Sequence, residues 1–196
     1  MMTVRLIVII LALLALAACE KTPPAPVFKT TDITGAPWGH DFALTDQFGK
    51  PRKLADFRGK VVTLFFGYTQ CPDVCPTTLA DLDAAMKVLG AQAKDVQVVF
   101  VTLDPERDTQ ALLAPYMAQF NPAFLALYGD LAATERTAKD FKIHYAKNPG
   151  KNGRYTLDHS AGTFVFDRHG RLRLLMPYGT RPEVIAADLQ ILLGQS

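Results

Sequence analysis

The chain is predicted to be an α/β domain, with a mixed central sheet, helices on both faces and a hairpin extension at its N-terminal side. Three observations carry that prediction. Two continuous apolar runs, Val61–Phe66 and Val96–Leu103, read as central strands covered on both faces. Segments with apolar residues at helical spacing alternate with them. Near the C-terminus, Thr163–Phe166 and Leu172–Met176 flank Asp167-Arg168-His169-Gly170, which has the chemistry of a tight hairpin turn.

Taken in order, Phe42 and Leu44 alternate ahead of Asp46-Gln47-Phe48-Gly49, a turn signal, so a hairpin opens the domain. After the first central strand, Leu79, Leu82, Met86 and Leu89 recur at helical spacing, and Gly90 is a plausible stop. A second helix is expected after Asp108-Thr109, with Leu112, Leu113, Tyr116 and Phe120 as its apolar face and Pro115 kinking or breaking it. Phe124–Tyr128 reads as a short strand and Leu131–Ile143 as a third helix. Pro182 suits the first turn of a last helix carrying Ile185, Leu189 and Leu192. This order, with a cysteine pair directly after the first central strand, is thioredoxin-like.

The 196 residues suffice for one domain with a substantial core. A net charge of +2, with no basic run, argues against nucleic acid as a partner. Arg5 precedes the uninterrupted apolar segment Leu6–Ala18, whose 13 residues are short for a permanent span, which needs about 20. They fit the core of an export signal. Leu16-Ala17-Ala18-Cys19 resembles a bacterial lipobox, in which cleavage leaves the cysteine as the lipid-carrying first residue. The expected organisation is therefore a lipoprotein signal over 1–18, a Pro-rich membrane tether over 19–39 and a folded domain over 40–196. Lipidation at Cys19 places the domain in the bacterial cell envelope, facing the periplasm and anchored to a membrane, with the inner membrane favoured. Of three cysteines one is then lipidated, and Cys71 and Cys75 remain as a pair in a compartment that favours disulfides.

Cys71-Pro72-Asp73-Val74-Cys75-Pro76 lies at a strand-to-helix junction. Pro76 suits the first helical position, which would set Cys75 at or beside the N-cap, where free amide hydrogens favour a thiolate. Two thiols with three residues between them can close as a disulfide or grip one soft ion. The spacing is wider than the two residues of thioredoxin-type exchange enzymes. Two thiolates suit Cu(I), and an added imidazole makes such a site acceptable to Cu(II). Of the four histidines, His169 falls in a turn, His144 at a helix end and His40 in the joint before the domain. His159, just before the strand Thr163–Phe166, belongs to a segment that lies against the cysteine loop in thioredoxin-like folds.

The stretch Gly67–Leu79, reading GYTQCPDVCPTTL, resembles the signature of the Sco/SenC family of copper chaperones for cytochrome oxidase assembly. Val101–Thr109 is similar to the family's second block and Asp158-His159-Ser160 to its histidine block. The similarity runs from about Phe42 to Leu193. The resemblance implies that Cys71, Cys75 and His159 are copper ligands. It also implies delivery of copper, reducing equivalents or both to the binuclear copper site of cytochrome c oxidase subunit II, with another copper chaperone as a candidate donor. Gln70 stands where family members often carry histidine.

The competing reading is an extracytoplasmic thiol–disulfide oxidoreductase or thiol peroxidase cycling Cys71 and Cys75. The three-residue spacing and His159, which such chemistry does not require, weigh against it. Asp73 is a candidate outer hydrogen-bond acceptor or partner contact, with a helix-dipole partner as the plainer alternative. Asp104 is a candidate for orienting the site, with capping its own loop as the alternative. Asp158 is a candidate partner contact, with ending the preceding segment as the alternative. Met86 and Met176 fit core positions.

Overall fold

The computed structural model describes residues 26–150, 152 and 154–195. The expected signal segment and Cys19 lie outside the described residues. Among the described residues ten strands are present: β1 (Thr31–Asp32), β2 (Ala43–Asp46), β3 (Pro51–Lys53), β4 (Val61–Gly67), β5 (Val96–Thr102), β6 (Leu125–Tyr128), β7 (Tyr145–Pro149), β8 (Tyr155–His159), β9 (Thr163–Phe166) and β10 (Leu172–Met176). The α-helices among these residues are α1 (Val74–Leu89), α2 (Gln110–Ala118), α3 (Leu131–Asp140) and α4 (Pro182–Leu193). Among the described residues no helix is long and apolar enough to cross a membrane.

Eight strands form one mixed sheet in the order β1-β10-β9-β4-β5-β6-β2-β3, while β7 and β8 pair separately. At its centre β4 and β5 run parallel, in register from Val61–Val96 to Gly67–Thr102. Every residue of β4 is buried, as its unbroken apolar run requires. On its other side β4 pairs antiparallel with β9. Phe66, Phe141, Phe164 and Phe166 interlock there with ring centroids 5.3–6.1 Å apart. Such aromatic pairs are worth about 0.5–1.5 kcal/mol each beyond the area they bury.

Several expectations change in detail. Pro115 neither ends nor breaks α2, which continues to Ala118. Leu113 and Met117, four residues apart, are the positions α2 buries, whereas Leu112 faces solvent. The third helix stops at Asp140, and Lys142 follows with a positive φ of 56°. Met86 and Met176 are buried in the core.

Residues 29–39, read from sequence as tether, are fastened to the domain, so the expected boundary at His40 falls inside folded structure. The buried carboxylate of Asp188 in α4 accepts bonds from the backbone N–H of Lys29 (2.8 Å), the N–H of Thr30 (2.9 Å) and the Thr30 hydroxyl (2.6 Å). β1 adds itself to the edge strand β10, and Trp38 stands edge-on to Phe164 at 5.8 Å. Gly39 turns the chain into β2 with φ +69°, and a Cβ there would lie 2.9 Å from Leu172. Of the four prolines between 20 and 39 only Pro37 falls in this stretch, and the partners that hold it lie more than a hundred residues away in sequence.

Candidate metal centre

The site forms where β4 and β5 end side by side. Asp108, just before α2, is fully buried and fixes the start of the cysteine loop. Its carboxylate accepts from the Thr69 N–H (2.9 Å), the Thr69 hydroxyl (2.6 Å) and the Thr102 hydroxyl (2.6 Å). Burial pushes this carboxyl above its ordinary range despite those bonds, so its environment is poor in solvent. Gly67 is the last residue of β4, and a Cβ on it would stand 2.7 Å from the Cys75 sulfur. Only a glycine leaves that sulfur its place.

Helix α1 begins at Val74 with Asp73 as N-cap, so Pro76 is its third residue and Cys75 its second. Asp73 makes no side-chain cap bond; its carboxylate instead receives the Thr77 hydroxyl at 3.4 Å. Cys75 is fully buried and Cys71 half-buried, with the Cys75 N–H donating to the Cys71 sulfur at 3.4 Å. The thiolate-favouring environment expected for Cys75 is not found. Burial pushes its thiol far up, and the neighbouring Cys71 adds to the rise. Loss of solvent outweighs the helix dipole there, and a bound cation is what would draw the proton off.

His159 ends β8 rather than lying in a free loop, and it reaches the cysteines from across the site. Its Nδ1–H donates to the Ser160 carbonyl at 2.9 Å, since a carbonyl can only accept. That leaves the Nε2 lone pair facing Cys75 Sγ at 3.7 Å. Phe65 and Tyr68 stand edge-on to the imidazole at 6.3 and 6.1 Å and restrict its swing. The donor atoms of Cys71, Cys75 and His159 all lie within 4.8 Å of one another, close enough for one metal ion. Two sulfurs and one nitrogen make a soft donor set, and a backbone carbonyl fixing the imidazole tautomer is the usual support of a metal-ligating histidine.

The site opens into a recess of about 410 Å³ lined by Tyr68, Cys71, Pro72, Val74, Leu157 and His159. A larger recess of about 540 Å³ between β3 and α3 offers no thiol or imidazole. The other histidines lie elsewhere. His40 is exposed against Asp140 at 3.2 Å, His144 is exposed, and His169 occupies the β9–β10 turn. Asp158 is exposed, and Gln70 is exposed with its Oε1 turned to Arg107 at 3.2 Å. Asp104 is buried between Arg107 and the Tyr155 hydroxyl, so it does more than cap its own loop. Gly67, Arg107, Asp108 and Tyr155 are the functional positions that motif reading left without a role. For Arg107 and Asp108 the available signal was the density of charge in Asp104-Pro105-Glu106-Arg107-Asp108, directly after a buried strand; Gly67 and Tyr155 carried none.

The sequence pattern that defines the SCO1/SenC family matches residues 30–194. An SCO2-like protein of Rickettsia felis is 32% identical over 177 residues, covering 86% of each chain. The structure of Bradyrhizobium japonicum ScoI with copper bound is similar at 39% identity and a TM-score of 0.73, over 78% of this chain and 98% of that one. Apo Sco1 from Thermus thermophilus is similar at 41% identity and a TM-score of 0.76, over 87% and 99%. These similar structures share the thioredoxin-like arrangement described above.

Proposed function

This chain belongs to the SCO1/SenC family, and from that premise we propose that it is a copper chaperone whose cargo is held by Cys71, Cys75 and His159. The observation that carries the reading is the convergence of two sulfurs and an imidazole nitrogen within 4.8 Å. The copper in the similar ScoI structure supports the choice of ion. Three donors leave a coordination position open toward the recess, so an incoming ligand can bind before an outgoing one leaves. Transfer then proceeds without releasing the ion to solvent.

The recipient in this reading is the copper site of cytochrome c oxidase subunit II. The family resemblance supports that assignment, and another copper chaperone is the corresponding donor. The same thiols can also supply reducing equivalents. Cys71 and Cys75 lose two electrons and two protons on closing a disulfide, and a recipient disulfide gains them as two thiols. The domain works at the periplasmic face of a membrane, held by a lipid on Cys19. The sequence Leu16–Cys19 supports that placement.

Titration of the reduced protein with copper tests the reading. One equivalent binds, and binding is lost or strongly weakened in Cys71→Ser, Cys75→Ser and His159→Ala. With Cu(II), sulfur-to-copper charge transfer appears and changes in the His159 variant. Unaltered binding and spectra in His159→Ala would overturn the three-donor site.

A further inference from the structure

β7 and β8 form a hairpin of their own, outside the main sheet, and His159 is its last residue. What holds this hairpin decides where the imidazole stands. Tyr155, at the other end of β8, is gripped from three directions. Arg107 Nη1 donates to the Tyr155 carbonyl at 2.9 Å. The guanidinium lies over the Tyr155 ring, 3.6 Å from its centroid. The Tyr155 hydroxyl donates to Asp104 Oδ1 at 2.7 Å. Arg107 is itself braced by Asp104 through Nε, and its Nη1 also donates to Gln70 Oε1 at 3.2 Å, next to Cys71. Lys147 of β7 pairs with Glu106 and lies 4.8 Å from the same Tyr155 ring centroid.

We infer that Arg107 is a positioning residue: by clamping Tyr155 to the loop after β5, it sets hairpin β7–β8 so that His159 meets the two sulfurs. This rests on the three-donor reading above. Positions 155, 157 and 159 share one face of the strand, and Leu157 between them is buried at 4% exposure. Treated as a rigid rod about 13 Å long from Tyr155 to His159, the strand would carry the ring roughly 2 Å for a tilt of about 10° at Tyr155. Against a gap of 3.7 Å between Nε2 and Cys75 Sγ, that displacement breaks the site. A lysine cannot replace this arginine, because one ammonium cannot stack on the ring, pair with Asp104 and reach both carbonyl oxygens. Gln70 has a defined place in this arrangement, as a link from the cysteine loop to the clamp.

The test is a double-mutant cycle on Cu(I) affinity, measured by competition with a chelator on the reduced full chain in detergent. Arg107→Ala is expected to lower affinity about 10–100-fold, as lost outer-shell support does. In the His159→Ala background the same change should cost little more, because its effect passes through the imidazole. An equal loss in both backgrounds, or none in either, overturns the inference. Should Arg107→Ala not fold, Arg107→Lys and Tyr155→Leu decide the matter through the same cycle. If the unaltered protein binds no copper, the chaperone reading fails by itself. The clamp is then read in the metal-free protein from amide exchange at 155–159. Faster exchange in the Arg107 variant supports it and unchanged exchange overturns it.

Discussion

His159 Nε2 lies 3.7 Å from Cys75 Sγ across 84 residues of sequence. The contact joins two side chains positioned by separate elements. Cys75 is fixed by the first turn of α1 against the end of β4, and His159 by a hairpin outside the main sheet. Gly67 at the end of β4 and the buried carboxylate of Asp108 are among the supports that make this meeting possible.

Gly67→Ala should damage the site without replacing any donor residue. Its Cβ would stand 2.7 Å from Cys75 Sγ and 2.9 Å from the Phe100 ring, both fully buried. Relief requires moving the sulfur or the ring, and such overpacking costs about 1–3 kcal/mol. Thermal unfolding should show that loss, and copper affinity should fall with it. Wild-type affinity in this variant would mean that the sulfur position is not critical.

Asp108→Ala should loosen the cysteine loop. It removes three hydrogen bonds and leaves the Thr69 N–H and the Thr102 hydroxyl without their acceptor. Stranding such groups costs about 1–3 kcal/mol. Denaturant unfolding should report the loss, and amide exchange at Thr69 should accelerate. Asp108→Asn keeps the shape and one acceptor oxygen, so its loss should be smaller. Equal losses in the two variants would contradict the hydrogen-bond explanation.

The acid side of the stability profile should depend on Asp46 and Asp167. Burial pushes both carboxyls up, but bonds from Lys50, Arg52 and Phe48 to Asp46, and from Arg171 and His169 to Asp167, hold both below the ordinary carboxylate range. An unfolded aspartate titrates near 3.9. Between the folded value and that point the unfolded chain binds more protons. The stabilisation is therefore complete above about pH 4 and is lost as pH falls through the folded values. Asp167→Asn should cost about 1–2 kcal/mol near neutrality, as loss of charge-assisted bonds to Arg171 and Arg173 implies. Urea unfolding at a series of pH values should show the gap from wild type narrowing below pH 4. A gap that widens there would reverse the assigned sign.

Much of the scaffold was legible because its strands bury both faces and its helices bury one. Val61–Phe66 and Val96–Leu103 differ from the observed strands by a single residue at one end. The hairpin strands β9 and β10 fall where their turn chemistry placed them. Hairpin β7–β8 was not legible. Residues 145–149 carry lysine, asparagine and proline, and all but Tyr145 are exposed. Such a sequence has no apolar alternation to distinguish it from a loop. β1 was hidden for the opposite reason, since its partner strand supplies the pattern that two residues cannot.

By itself, then, the sequence determined the α/β plan, the cysteine pair after the first central strand and the histidine to be weighed with it. Apolar periodicity and residue spacing are local properties that suffice for the plan and the pair, whereas His159 stood out through its place before a strand in thioredoxin-like folds and through the family resemblance. Only the tertiary structure decided that Cys75 is buried and its thiol pushed up, that Gly67 makes room for its sulfur, and that Arg107 grips Tyr155. Desolvation, steric clearance and stacking arise between residues distant along the chain, so they exist only once the chain has closed on itself.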